Sequence, residues 1–304
     1  MKQILACAFL LTACICGYSQ TDTTKKAVDS TIIDSSMTNV SLTDTVTLHA
    51  AEPVTEKKGK VYRIKPAVDL PIIAGTTAWA IHGFKVIYDK PSSPEARILS
   101  LNKGNISKFD RSNAGYYSES SEKTSDLFFY GSMPLPLLLM LDADIRKDAG
   151  NILLMYWETM GVLGIFYTGS AYVVDRYRPF VYGNEAPMHE RTSGNAKNSF
   201  IGGHPALVAT STFFVAKVFS DYHKDSKIKW VFYTLASGAT LATAYLRYDA
   251  GKHFKSDLIA GTAIGTAVGI LVPHFHKNKL LNNSNMSIRP FTGNAHGLAF
   301  VYQF

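Results

Sequence analysis

The stretch ILLMYWETMGVLGIFYTGSAYVV, residues 152–174, is predominantly apolar and carries a single charged side chain, Glu158. A helix of about 20 apolar residues crosses the hydrocarbon core of a bilayer. The stretch therefore predicts a membrane-spanning helix. The alternative is an inner helix of a soluble bundle, which is also apolar on every side.

Further apolar segments lie on both sides of this stretch, separated by short polar ones. They cover residues 70–88, 127–141, 205–219, 230–246 and 258–272. Together with the first stretch they predict six helices, and hence an all-α, six-helix bundle over residues 61–280 that is embedded in a membrane. Lysines flank both ends of most segments, so the charge distribution does not predict an orientation.

A row of glycines marks the last of these segments. Gly261, Gly265 and Gly269 recur at every fourth residue and therefore share one face of the predicted helix. A face without side chains lets another backbone approach closely. The row predicts a tight helix–helix contact rather than a chemical site.

The N-terminal region has the layout of an export signal. Residues 1–20 place Lys2 before an apolar run and end in small and polar residues, as a signal peptide does. Residues 11–14 also resemble a lipoprotein box, which would place a lipid on Cys14. All three cysteines lie in this region, so a mature chain starting near Gln20 has no thiol. Disulfides, thiolate metal sites and a cysteine nucleophile are thereby excluded.

The two ends of the mature chain differ from its middle. Residues 21–60 are rich in Thr, Ser and Asp and predict a disordered tether. Residues 281–304 predict a C-terminal β-hairpin, because alternating apolar residues flank a turn rich in Gly and Asn. A final strand of a membrane barrel also ends on an aromatic residue such as Phe304, but two strands cannot close a barrel.

Composition limits the classes of partner. Hydrophobic residues make up 46% of the chain and charged residues 18%, and the net charge is +7. Lys and Arg are spread over nearly every polar segment, which favours anionic surfaces or substrates such as phosphate. No basic stripe interleaved with aromatic residues is present, so nucleic-acid binding is not expected.

Three short motifs follow one another along the second half of the chain, each at the end of an apolar segment. The first is DRYRP at 175–179, the second is SFIGGH at 199–204, and the third combines Arg247, His253 and Asp257. Each motif alone fits an ordinary helix end, loop or surface pair. Their occurrence in this order makes a shared site the better explanation.

Phosphoryl transfer without a metal requires side chains of these types. Arg178 and Arg247 each carry a planar fork of donors that binds phosphate oxygens and offsets the charge of a five-coordinate transition state. Gly202 and Gly203 precede a predicted helix start, so their backbone can approach an anion while the helix N-terminus contributes a favourable field. These four residues predict the phosphate-binding part of the site.

The histidines supply the reacting groups in this interpretation. Asp257 lies four residues after His253, close enough to hold one ring nitrogen as N–H and leave the other free to attack phosphorus. His204, on another element, can then protonate the leaving oxygen and later activate water. We therefore expect His253 to be the nucleophile, His204 the general acid and base, and Asp257 the residue that orients His253.

The order and spacing of the motifs resemble the signature of the type-2 phosphatidic acid phosphatase (PAP2) superfamily, K-x6-R-P, P-S-G-H and S-R-x5-H-x3-D. That superfamily includes class A acid phosphatases and vanadium haloperoxidases. The resemblance is close over residues 171–257 and implies a helical bundle. It also implies the roles given above for the two arginines, the two histidines and Asp257.

The sequence departs from this signature at three positions. The signature lysine falls at Ala171, the serine of the second motif at Gly202, and the serine of the third at Leu246. Each change removes a phosphate donor. Arg176 and Lys197 lie near enough in sequence to serve as substitutes.

The resemblance implies a metal-independent phosphoric ester or diphosphate hydrolase that uses no cofactor and acts on a phosphorylated lipid through a phosphohistidine. With the export signal, it predicts a membrane-associated protein of the bacterial cell envelope whose site faces the periplasm. The alternatives are a soluble periplasmic acid phosphatase, a vanadium haloperoxidase, and an inactive relative that only binds a ligand.

Overall fold

The structure is a computed structural model that describes residues 60–277, 286–291 and 297–302. The predicted signal peptide at 1–20, and the predicted tether at 21–60 except for its last residue, lie outside the described residues.

Helices dominate the described part of the chain. In chain order they are α1 (Pro66–Tyr88), α2 (Glu95–Leu99), α3 (Glu119–Ser132), α4 (Leu135–Leu138), α5 (Ala143–Arg146), α6 (Ala149–Val173), α7 (Met188–Thr192), α8 (Gly203–Tyr222), α9 (Lys229–Asp249) and α10 (Lys255–Phe275). The total of ten differs from the predicted six. Six of them have 14 or more residues, and the other four are short connecting turns of helix.

The largest difference from the predicted helices lies around residues 127–141. The long helix here is α3, which begins upstream at Glu119 and ends before Pro134 and Pro136. Proline cannot donate the backbone hydrogen bond that a helix interior needs, so the apolar run continues only as short pieces. Ser118 caps α3, accepting a hydrogen bond from the backbone N–H of Ser121 at 3.3 Å. This N-terminal cap stabilises the first half of α3 as a helix, although its residues are polar.

Within the described part of the chain, three helices are long and apolar enough to cross a membrane, namely α1, α6 and α10. Several of their large apolar side chains point away from the protein, including Ile81 on α1, Val173 on α6 and Ile259 on α10, each at least 61% exposed. Apolar surface of this extent is costly in water and fits a lipid environment. These features support an association with the membrane.

The glycine row of α10 packs against the backbone of α8. A Cβ added at Gly261, Gly265 or Gly269 would collide with the carbonyl oxygen of Gly202, Ala206 or Thr210, respectively. The predicted close approach of two helices is therefore confirmed. This contact brings the N-terminal ends of α8 and α10 together.

Two strands follow the helices. Strand β1 (Met286–Phe291) pairs antiparallel with β2 (Gly297–Tyr302), with Met286 opposite Tyr302 and Phe291 opposite Gly297. They lie within the residues for which a hairpin was predicted, 281–304.

Candidate active site

The residues of the three motifs lie at one end of the helices. Arg178 follows α6, His204 is in the first turn of α8, Arg247 is in the last turn of α9, and Asp257 is in the first turn of α10. His253 lies in the short connection between α9 and α10. These sequence positions converge because consecutive long helices run in opposite directions.

The first two motifs are joined by backbone hydrogen bonds. The N–H groups of Arg176 and Arg178 donate to the carbonyls of Lys197 and Ala196, at 3.0 and 2.9 Å. The N–H of Ser199 donates back to the carbonyl of Arg176 at 3.1 Å. This short parallel pairing fixes Arg178 relative to the turn that leads into α8. It is the local reason that the two motifs share a site.

His253 is 1% exposed and its ring orientation is set by the backbone. Its Nδ1 lies 2.6 Å from the carbonyl oxygen of Ser199, which can only accept, so Nδ1 carries the proton. Nε2 has no hydrogen-bond partner among residues 60–277 and keeps its lone pair. Burial, and then the charges of Arg178 and Arg247, hold the pKa of His253 well below the usual histidine range. The ring is therefore neutral at pH 7 and can act as a nucleophile.

Asp257 does not contact His253 as we expected. Its carboxylate accepts hydrogen bonds from Ser199 Oγ at 2.7 Å and from the backbone N–H of Phe254 at 2.9 Å, and it pairs with Arg176. No hydrogen bond or ion pair joins Asp257 to His253 in the described residues. The reason is that Asp257 is the third residue of α10 and its side chain folds back to cap that helix.

The geometry gives Asp257 an indirect connection to the nucleophile. Asp257 holds the side chain of Ser199, and the carbonyl of the same Ser199 receives the Nδ1 proton of His253. Asn113 holds the connection from the other side, donating to the carbonyls of His253 and Tyr248 at 2.9 and 3.1 Å. Asp257 is thus placed to position His253 through Ser199.

His204 is paired with a carboxylate from α3. Its Nε2 lies 2.9 Å from Asp126 Oδ1, and its ring stacks on Phe129 with centroids 4.3 Å apart. Burial and the charge of Arg247 lower the pKa of His204 to about 4, although Asp126 acts in the opposite direction. His204 is therefore neutral at pH 7 in the free protein.

The two motif arginines are buried with part of their hydrogen-bonding capacity unused. Arg178 is 7% exposed and Arg247 is 3% exposed, and the buried Nε of each has no partner in the described structure. Arg178 otherwise donates only a long bond of 3.4 Å to Asn195 Oδ1, and Arg247 donates to Ser125 Oγ at 3.2 Å. Buried guanidinium donors without partners are costly. An anion between the two side chains would satisfy them.

Lys252 adds a cation that the motifs did not predict. Its side chain is 7% exposed, and its Nζ lies 2.7 Å from Glu122 Oε2 and 4.9 Å from the centre of the Phe180 ring. Lys252 and Arg178 line a cavity of about 120 Å³. The sequence offered one signal for Lys252, because this residue immediately precedes His253, the predicted nucleophile. Nothing in the sequence predicted its partner Glu122 or the other α3 carboxylate, Asp126.

The residues considered as substitutes for the missing signature lysine have other contacts. Arg176 pairs with Asp257 and, at 2.7 Å, with Asp110, and its guanidinium lies 4.5 Å from the Phe254 ring. It is neutralised by two carboxylates and does not replace the lysine. The structure describes no side-chain contact that would bring Lys197 into the site. Lys252 also lies near two carboxylates, Glu122 and, at 3.9 Å, Glu190, but unlike Arg176 it lines the same cavity as Arg178.

The two glycines of the second motif have different roles. The N–H of Gly202 donates to the carbonyl of Asp257 at 2.9 Å and so joins the starts of α8 and α10. The N–H groups of Gly203 and His204 have no acceptor among the described residues, and they lie in the first turn of α8. A Cβ on Gly203 would collide with the Tyr167 ring. The backbone N–H groups available to an anion at this helix start are thus those of Gly203 and His204 rather than that of Gly202.

Comparison with known families agrees with this arrangement. The family model of the PAP2 superfamily matches residues 152–281, which contain every motif residue described above. Residues 152–281 are therefore similar to the PAP2 superfamily.

Among solved structures, the chain is similar to a transmembrane PAP2-type phosphatidylglycerolphosphate phosphatase from Bacillus subtilis. The two share 17% sequence identity with a TM-score of 0.41, over 71% of this chain and 98% of that one. Comparison with curated protein sequences gives no match.

Proposed function

We propose that this PAP2 protein is a phosphatase that hydrolyses a phosphomonoester or diphosphate of a lipid through a phosphohistidine. The observation that carries the proposal is the pair of buried guanidinium groups, Arg178 and Arg247, with unpartnered Nε atoms beside a neutral His253. Their charge suits a phosphate dianion, and their forks suit its equatorial oxygens in the transition state. The N–H groups of Gly203 and His204 add two further donors.

In the first step, Nε2 of His253 attacks phosphorus. The new P–N bond forms as the bond from phosphorus to the leaving oxygen breaks, and the leaving oxygen takes a proton from His204. Ser199 accepts the hydrogen bond from Nδ1 and so keeps that proton on the ring. Asp257 keeps Ser199 in place.

In the second step, water attacks the phosphohistidine. His204 takes a proton from the water, the P–N bond breaks, and inorganic phosphate leaves. His204 must therefore gain and lose a proton during turnover. A bound phosphate dianion offsets the charges of Arg247 and Arg178 that lower the pKa of His204, and Asp126 stabilises its protonated form. Substrate binding thus prepares the general acid.

The chemistry of this site needs no metal, because the two arginines, Lys252 and the start of α8 supply its positive field. We expect the initial rate to persist in excess EDTA and to be inhibited by vanadate, which imitates five-coordinate phosphorus. Measurement of phosphate release at a temperature well below unfolding tests this. An initial rate that falls on chelation and returns with magnesium or zinc contradicts the proposed site.

A lipid substrate is supported by the apolar exterior of α1, α6 and α10. Phosphatidic acid, phosphatidylglycerol phosphate, undecaprenyl diphosphate and phosphorylated lipid A all carry the required group. A panel of these lipids and soluble phosphate esters in one phosphate-release assay separates the possibilities. Preference for soluble esters indicates an acid phosphatase, halide oxidation with vanadate indicates a haloperoxidase, and no release from any substrate indicates a binding protein.

We also propose that the protein is exported and held in the bacterial envelope with this site on the periplasmic side. The apolar exterior predicts that it sediments with membranes and resists a high-salt wash, because apolar burial is not screened by salt. Fractionation of cells that produce the full chain measures this. Recovery in the soluble periplasmic extract contradicts it.

A further inference from the structure

A second cluster of ionisable side chains lies inside the helices and takes no part in the proposed reaction. Asp69 is in the first turn of α1, Glu158 is in α6, and His276 follows the last residue of α10. Their side chains are at most 10% exposed. Ionisable groups buried among apolar helices are costly and are generally retained for a function.

The histidine of this cluster faces two carboxylates through its Nε2 atom. His276 Nδ1 lies 2.8 Å from the carbonyl oxygen of Val272, so Nδ1 carries the proton and Nε2 faces inward. Nε2 is 3.2 Å from Glu158 Oε2 and 3.6 Å from Asp69 Oδ2, and neither contact has hydrogen-bond geometry. Glu158 Oε2 is also without a hydrogen-bond partner in the described structure. One imidazole nitrogen and two carboxylate oxygens, all atoms of the kind that bind metals, therefore converge in one buried space.

The spacing of these atoms matches a coordination sphere. Zinc binds histidine nitrogen and carboxylate oxygen at about 2.0–2.2 Å, which places neighbouring ligand atoms of a tetrahedron about 3.4 Å apart. The separations of Nε2 from the two carboxylate oxygens, 3.2 and 3.6 Å, lie on either side of that value. One ligand atom from each residue also lies within 4.8 Å of both others. His276 Nδ1 is bonded to the Val272 carbonyl, and metal-binding histidines commonly fix their tautomer by such a hydrogen bond from the nitrogen that does not bind the metal.

We propose that Asp69, Glu158 and His276 form a binding site for a divalent transition metal of the zinc class. A neutral imidazole and two carboxylates suit this class of ion, and the ion would cancel the two buried negative charges. The site would join α1, α6 and the end of α10. The N–H of Arg63 already donates to the carbonyl of His276 at 3.0 Å, so the chain entering α1 would be held there as well.

The proposed metal site is separate from the reaction site. Asp257 and His276 lie at opposite ends of α10, about 28 Å apart at 1.5 Å per residue. A metal held by His276 therefore cannot contact the phosphate bound near Arg178 and Arg247. The role of this metal would be structural. If the metal proposal fails, the proposed phosphatase reaction is unaffected.

Metal content of the purified full chain tests the proposal. The protein would be prepared in detergent through a tag without histidine, equilibrated with buffered zinc, freed of excess metal and analysed by elemental mass spectrometry. We expect about one zinc ion per chain in the wild type and less than about a tenth of that in Glu158→Gln. His223→Gln is the matched control, because His223 also pairs with a carboxylate, Asp142, at 2.9 Å but outside the cluster. It should retain the zinc.

Cobalt provides a second measurement, and its result on the wild-type chain does not depend on whether a variant folds. Cobalt(II) bound to the wild-type chain should give the intense visible absorption of a four-coordinate site, and zinc should displace it. His276→Gln with an unchanged elution profile should lack that absorption. The proposal is overturned if the folded wild type binds no stoichiometric zinc or cobalt, as expected if a proton alone occupies the cluster. It is also overturned if Glu158→Gln keeps the metal.

Discussion

His253 and His276 are two buried imidazoles in the same chain with opposite surroundings. In both, Nδ1 is bonded to a backbone carbonyl, Ser199 at 2.6 Å for His253 and Val272 at 2.8 Å for His276, which leaves Nε2 free. The charges facing Nε2 differ. His253 lies in the field of Arg178 and Arg247, whereas His276 faces Asp69 and Glu158.

The pKa of each ring follows these neighbours. Burial lowers the pKa of both, and the two arginines lower that of His253 further. For His276 the nearby Glu158, the Val272 carbonyl and Asp69 outweigh burial and raise its pKa. The Nε2 lone pair of His253 is therefore available to react, whereas the carboxylates beside His276 favour a cation there, either a proton or the proposed metal ion. Charge around the ring, rather than burial, therefore separates the proposed nucleophile from the proposed metal ligand.

The largest effect should come from removing the proposed nucleophile. His253→Ala should lower turnover by a factor of about 10⁴ or more and remove any acid-labile phosphoenzyme, since no other group takes its place. Rapid acid quenching with labelled substrate measures the intermediate. If a phosphoenzyme still accumulates in His253→Ala, another residue is the nucleophile. The difference in charge around His253 and His276 would then not explain catalysis.

His204 is the intermediate case, because it has both an arginine and a carboxylate as neighbours. His204→Ala should slow esters with poor leaving groups by about 10²–10⁴-fold. Activated aryl phosphates leave without a proton and should be slowed much less. Rates over a series of leaving groups test this. Equal slowing across the series would remove the role of general acid from His204.

Removing one arginine should weaken the cationic surroundings of His253 directly. Arg178→Gln should lower kcat by about 10²–10³-fold, because the transition state loses a charged donor. It should also raise the pKa of His253 towards the ordinary value, since Arg178 is the larger of the two charge effects. Histidine titration by NMR measures the second effect. An unchanged pKa would show that burial alone holds His253 neutral.

Asp257→Asn tests positioning through Ser199. The amide can still accept from Phe254 N–H, but it loses the charge that pairs with Arg176. We expect a fall in rate of about 10–100-fold, the usual size of an indirect ligand effect. Ser199→Ala removes the hydroxyl contact and keeps the carbonyl that binds His253, so its loss should be smaller. A larger loss in Ser199→Ala would place the hydroxyl, not the carbonyl, in control of the ring.

The smallest effect concerns pH. A lowered pKa means that His253 stays neutral as the pH falls through 6.5, where an ordinary histidine gains its proton. In His204→Ala with an aryl phosphate, kcat/KM corrected for substrate ionisation should therefore change by less than about twofold between pH 7.5 and 5.5. A drop centred near pH 6.5 would contradict a cationic environment for His253.

Much of the site could be predicted because it is encoded locally. Arg247, His253 and Asp257 lie close together in sequence, where one predicted helix ends and the next begins. Arg178 and His204 were assigned to the same site because their motifs precede this one in a recognisable order. The resemblance to the family signature implied the same roles for these five residues. The N-terminal capping of α10 was not visible in the spacing, so Asp257 was expected to contact His253 and instead contacts Ser199.

The contribution of α3 could not be predicted. Asp126 reaches His204 across 78 residues, and Glu122 reaches Lys252 from the same helix. These pairs depend on how α3 packs, and its first half is polar enough to resemble a loop. Proline at 134 and 136 then ended a helix that the apolar pattern would have continued.

The contact between α8 and α10 has a consequence for how this enzyme could be tuned. Gly261 meets the carbonyl of Gly202, only two residues from His204, and α10 starts only two residues after His253. The distance between His204 and His253 therefore depends on a contact between two backbones with no side chain between them. One methyl group at Gly261 would force the helices apart at that point, so a residue outside the site would change the distance between the two histidines proposed to carry out phosphoryl transfer.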